Sequence, residues 1–190
     1  MLIENKERYL SLLRETKRDG IENLISWLEN ETDFFSAPAS SKYHLSEPGG
    51  LCAHSLHVYE ELGRLKRVYP EIPLKKDSAI IIALLHDLCK ADFYKQDVRN
   101  VKVDGVWTQV PYYTVAEKFV YGLHGGKSTY LTMKYIRLTD EEAVAITNHM
   151  GGFAESPQNA ANVYAASKLA WLLHVADESA TYVREADDGV

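Results

Sequence analysis

Ser78-Ala-Ile-Ile-Ile-Ala-Leu-Leu-His-Asp-Leu-Cys-Lys90 is the stretch that decides the fold. Its apolar run, 79–85, has no polar side, so it reads as a helix buried all round. Asp77 or Ser78 is a suitable N-cap, and the pattern predicts a helix reaching about Lys90. A histidine and an aspartate at the end of such a helix are unfavourable to bury unless something pairs with them. His54, His124, His149 and Asp177 also adjoin apolar, helix-like stretches. A metal ion is the simplest partner that so many imidazoles and carboxylates can share.

Outward from this segment the chain reads as mainly α. Upstream, residues 4–18 and 21–29 predict two N-terminal helices, 36–50 a loop, and Leu51–Val68 a helix with an apolar stripe. Downstream, residues 98–115 alternate around Asp104-Gly105, a hairpin signal. Helical pattern returns at Lys127–Arg137. Thr139-Asp-Glu-Glu142 predicts a capping box opening a helix that closes near His149. Asn159 to about Ala180 predicts one long last helix, with a frayed tail from Arg184. The expectation is a single domain over 1–190: N-terminal helices over 1–35, a site-bearing core over about 40–180, and one small inserted β-hairpin.

Composition narrows the function classes. The chain has 190 residues, 46% hydrophobic, and a formal charge of −6. Its pI is near 5.6. An acidic balance argues against a long nucleic acid as partner and favours a small substrate. No apolar run reaches the ~18 residues of a membrane span, and the start lacks the order of a signal peptide. Cys52 and Cys89 lie far apart in apolar contexts and read as buried free thiols, which fits a reducing cytoplasm.

Taken singly, each candidate residue also has an ordinary structural explanation. His54 follows Gly49-Gly50, where the backbone can approach a site closely, and is the favoured ligand. His57, on the same helix face, reads as a supporting or surface residue. His124 lies in Gly122-Leu-His-Gly-Gly-Lys-Ser128, either a flexible turn or an anion-binding helix start to which Lys127 and Ser128 add donors. This is not a Walker loop, because position 121 is Tyr. His149 can owe its place to the helix dipole. His174 either orients Asp177 or is an ordinary core histidine. Lys90, four residues after His86, shares its helix face and could neutralise an oxyanion or simply end the helix in solvent. His44 lies in the loop before the glycine pair, where it could reach the site mouth.

With these residues in view, a family resemblance follows. His54, then His86-Asp87, then Asp177 is the order that names the HD superfamily of metal-dependent phosphohydrolases, which the chain resembles over roughly residues 40–180. With His124 and His149 the set looks like the two-metal variant. Gly49-Gly-Leu-Cys-Ala-His54, Leu84-Leu-His-Asp-Leu-Cys-Lys90 and Leu173-His-Val-Ala-Asp177 are also similar to the HD domain of certain bacterial 3′→5′ exoribonucleases. The chain has no room for their OB-fold, lacks the Gly-Tyr-Pro signature of the cyclic-dinucleotide branch, and has Met150 where some relatives repeat histidine. A family substrate is therefore not carried over.

The resemblance implies an HD-type helical bundle. In it His54, His86, Asp87 and Asp177 hold one ion, and Asp87 bridges to a second held by His124 and His149. Mn2+ or Fe2+ is favoured, with Ni2+, Co2+, Zn2+ and Mg2+ as alternatives. The implied reaction is hydrolysis of a phosphomonoester or phosphodiester of a nucleotide or similar small molecule by a metal-activated hydroxide. Asp87 and Lys90 would be catalytic, and Lys127, Ser128 and His44 would contact substrate. An HD-type di-iron oxygenase and a non-catalytic metal-binding regulatory module are the alternatives. Trp107, Tyr112 and Tyr113 on the hairpin would either stack on a nucleobase or pack the hairpin.

Overall fold

The computed structural model describes residues 2–116, 123–154 and 156–186. Gly122, at the head of the glycine-rich stretch, and residues 187–190 of the tail lie outside the described residues. The protein is mainly α. Its helices are α1 (Leu2–Glu15), α2 (Ile21–Asn30), α3 (Gly50–Val68), α4 (Lys76–Leu85), α5 (His124–Met133), α6 (Asp140–Asn148), α7 (Pro157–Ala166) and α8 (Lys168–Ser179). Strands β1 (Tyr94–Val103) and β2 (Val106–Val115) form one antiparallel hairpin. Among the described residues, no helix is long and apolar enough to cross a membrane.

Helix α4 is the axis of the core. Every residue from Ala79 to Leu85 is buried, and α1, α3, α5 and α6 pack around it. Tyr9 of α1 is fully buried, and its hydroxyl donates to the Leu84 carbonyl at 2.6 Å. Helix α8 closes the other side against α3 and α6.

The helix does not reach Lys90. It ends at Leu85, His86 caps it, and Leu88–Lys90 forms a separate 3-10 turn. The His86 ring donates Nδ1–H to the Ala83 carbonyl at 2.8 Å, the acceptor that a continuing helix would give to the Asp87 amide. Helix α6 stops in the same way, the His149 ring donating Nδ1–H to the Ile146 carbonyl at 2.7 Å. At its start stands the expected capping box: Thr139 Oγ1 accepts from the Glu142 amide, whose side chain accepts from Thr139 N–H.

Other boundaries differ from expectation too: α1 ends at Glu15 and not at 18, α4 starts at Lys76 after Lys75 and not from a cap at Asp77 or Ser78, and α5 ends at Met133 and not at Arg137. The last helix is two helices, because Ser167 is extended (φ −122°, ψ 108°). Its amide ends α7 on the Val163 carbonyl, and its hydroxyl caps α8 by accepting from Ala170 N–H. Helix α5 begins at His124, earlier than Lys127, so Gly125 and Gly126 lie inside its first turn. A Cβ on Gly125 would fall 2.3 Å from the carbonyl oxygens of Ile146 and Thr147, so glycine is what lets α5 and α6 pack so closely. The hairpin starts at Tyr94, earlier than Val98. It turns at Asp104-Gly105 with φ +49° and +86°, the two positive values of a type I′ turn. Trp107 is 71% exposed near that turn and so does not pack the hairpin.

Candidate metal centre

The ligand candidates come from five separate helices. His54 lies early in α3, His86 ends α4 with Asp87 just beyond it, His124 opens α5, His149 ends α6, and Asp177 lies near the end of α8. The fold brings all six together. Asp87 is the hub, and its two oxygens face different groups. Oδ2 lies 3.8 Å from His54 Nε2 and 3.5 Å from His86 Nε2. Oδ1 lies 2.7 Å from His124 Nε2 and 3.6 Å from His149 Nε2. Asp177 Oδ1 completes the first group, 3.1 Å from His54 Nε2 and 3.9 Å from His86 Nε2.

The backbone settles which nitrogen is offered. A carbonyl oxygen has no proton to give, so the Nδ1 of His86 and of His149 must carry the hydrogen. In the neutral ring Nε2 then presents a bare lone pair. Both Nε2 atoms are fully buried and have no hydrogen-bond partner. Leaving such a group unpaired costs about 1–3 kcal/mol. An imidazole held by a carbonyl on one nitrogen, with the other aimed at carboxylates, is how metal-ligating histidines are oriented. Buried imidazole and carboxylate donors lying this close together could hold a metal ion.

The charges point the same way. Burial raises the affinity of Asp87 for a proton, but Lys90, His86 and His124 outweigh it and hold the carboxylate well below its ordinary range. Asp177 is likewise driven well below, burial being overcome by its bond to His54 and by His86. Burial opposes charge on His54, yet Asp177 and Glu185 lift it to about 10. Burial also opposes charge on His124, which Cys89 and Asp87 lift to about 9. The pocket therefore gathers positive charge, as protons or as a metal that displaces them.

Glu185 had no signal in the sequence. The chain leaves α8 through a π-helical turn, Ala180–Arg184, which returns Glu185 to α3. Its carboxylate lies 3.0 Å from His54 Nδ1 and 2.7 Å from His57 Nδ1. It thus fixes His54 with Nε2 toward Asp177, and His57 supports it from outside. The tail expected to fray from Arg184 is, up to Glu185, part of the site. Cys89 was read only as a buried thiol, and its Sγ lies 3.3 Å from His124 Nε2. His174 neither orients Asp177 nor sits idle: its Nδ1–H donates to the His149 carbonyl at 2.7 Å.

The remaining candidates separate. Lys90 does not share a helix face with His86. The 3-10 turn folds it back, so that Nζ lies 2.7 Å from Asp87 Oδ2. Burial opposes its charge, and Asp87 more than restores it. A cavity of about 650 Å³ opens on the centre, with Lys42, His44, Lys90, Phe153 and Tyr182 in its walls. The His44 ring lies 4.9 Å from that of His54, tilted by 44°, and burial and the charges of His54 and Lys90 lower its pKa to about 4. Lys127 and Ser128 do not line this cavity. Both are buried, Ser128 Oγ accepting from the Cys89 amide and Lys127 Nζ lying 5.6 Å from the centre of the Phe93 ring. A second cleft of about 370 Å³ lies between the 41–48 loop and the hairpin, lined by Arg99, Tyr112 and Tyr113. Lys42 lines both.

Compared with models of protein families, with curated proteins and with solved structures, the chain has no match.

Proposed function

We propose that this chain is a metal-dependent phosphohydrolase of HD type that cleaves a phosphomonoester or phosphodiester of a small, nucleotide-like substrate in the cytoplasm. The observation that carries the reading is the pair of buried, unpartnered Nε2 atoms on His86 and His149, aimed at opposite oxygens of Asp87. His54, His86, Asp87 and Asp177 would hold one divalent ion; Asp87, His124 and His149 would hold another. When bound, such ions supply an activated water near neutral pH and neutralise charge on a phosphoryl group.

The chain's own residues supply the rest. Lys90, already charged, would place its ammonium beside the phosphoryl oxygens of a substrate in the 650 Å³ cavity. Lys42 at its wall would attract an anionic substrate. Phe153 and Tyr182 would exclude water from one side and give a base or other flat group a surface.

The test is a screen of phosphomonoesters and phosphodiesters against Mn2+, Fe2+, Co2+, Ni2+, Zn2+ and Mg2+, with oxygen uptake followed in parallel. Phosphate ester cleavage that falls about 100-fold or more in His86→Ala and Asp87→Asn supports the proposal. Undiminished cleavage by both variants would refute the site. Oxygen uptake without ester cleavage would select the di-iron oxygenase instead.

A further inference from the structure

Cys89 is placed unlike an ordinary core thiol. It is 3% exposed and lies outside the apolar cluster that contains Cys52. Its amide donates to Ser128 Oγ at 3.1 Å, which fixes the backbone of the 3-10 turn. Its Sγ is 3.3 Å from His124 Nε2, the nitrogen that also meets Asp87 Oδ1 at 2.7 Å. One donor atom from each of Asp87, Cys89 and His124 lies within 4.8 Å of the other two. A further donor faces the same carboxylate oxygen: His149 Nε2, fully buried and unpartnered, lies 3.6 Å from Asp87 Oδ1. Cys52 is the contrast, a small apolar filler with no such neighbours and a pKa that burial pushes up to about 12.

We propose that Cys89 is a ligand of the position formed by Asp87 Oδ1, His124 and His149, and that sulfur makes this position prefer thiophilic ions. This rests on the metal-dependent reading above and names which ions its second position takes. On binding, the thiol gives its proton to solvent as the sulfur–metal bond forms, and no oxidant is involved. One thiolate, two imidazoles and one carboxylate oxygen form a donor set that suits Zn2+, Co2+ or Fe2+ and discriminates against Mg2+. The position of His54, His86 and Asp177 has no sulfur within it. The two positions are thereby chemically unequal, and the pair favours two different metals.

The experiment is a Co2+ titration of the full chain after removal of bound metal, read by absorption. Expected are visible d–d bands together with a near-ultraviolet sulfur-to-cobalt charge-transfer band. Cys89→Ser keeps d–d bands and loses the charge-transfer band; Cys52→Ser keeps both. The Zn2+ affinity of Cys89→Ser falls about 10–100-fold or more, with a much smaller change for Mn2+. Because the first result is read on the unaltered chain, it stands even if a variant folds poorly. Visible bands without the charge-transfer band, or a charge-transfer band that survives Cys89→Ser, would overturn the role of Cys89 alone. No cobalt absorption of any kind would overturn it together with the metal-dependent reading.

Discussion

His86 and His149 end two different helices by one device and meet at one carboxylate. Each ring donates Nδ1–H to the carbonyl three residues before it, which stops the helix and turns Nε2 inward. The ring centres are 4.9 Å apart and nearly perpendicular, at 83°. The same two hydrogen bonds thus set the helix lengths and the aim of the lone pairs.

Stability should depend on metal. An ion at about 100 times its Kd adds about 2.7 kcal/mol, which for a chain of this size raises Tm by roughly 5–10 °C. Differential scanning with and without Co2+ or Mn2+ measures this. The shift should vanish in Asp87→Asn, since both groups of histidines face that carboxylate. An equal shift in that variant would mean that the ion binds elsewhere.

Glu185→Gln should weaken metal binding by about 10–100-fold without disturbing the core, because the carboxylate orients His54 through Nδ1, the ring nitrogen opposite the one that faces Asp177. Calorimetric titration gives the affinity, and Glu185→Asp should recover part of it. Burial opposes charge on Glu185, yet His54 and His57 hold its pKa down at about 2.

A second charge cluster, away from the centre, sets an acid limit. Arg18 bonds Glu142 at 2.6 Å and Asp77 at 3.0 Å. Burial raises the Glu142 pKa, but Arg18 and the Thr139 amide more than reverse this, so its folded value lies below the ordinary one. A depressed carboxylate contributes stability above its unfolded pKa and loses it as pH falls through the folded value. Glu142→Gln should therefore destabilise at neutral pH by about 1–3 kcal/mol, and the gap to the unaltered chain should close with acid. Urea melts between neutral pH and acid measure both.

Trp107→Ala should leave unfolding stability nearly unchanged, within about 0.5 kcal/mol, because the side chain is exposed near the turn of the hairpin. If the hairpin selects substrate, KM rises while metal content stays constant. Unchanged KM for every substrate found by the screen would assign that selection elsewhere.

Much was legible from the chain alone, where the controlling interaction is local. The apolar run at 79–85 demands a buried helix, Thr139 and Glu142 form a capping box within one turn, and Asp104-Gly105 forces a hairpin. The six ligand candidates stood out because each is a polar group beside an apolar helix. Hidden were the helix stop at His86 and the break at Ser167, where a side chain competes with the backbone for one hydrogen bond. Hidden too were Glu185, which meets His54 from 131 positions away, and Cys89, which meets His124 across 35. Periodicity and capping act over a few residues. Which distant side chains share a point depends on how the helices pack, and only the folded chain sets that.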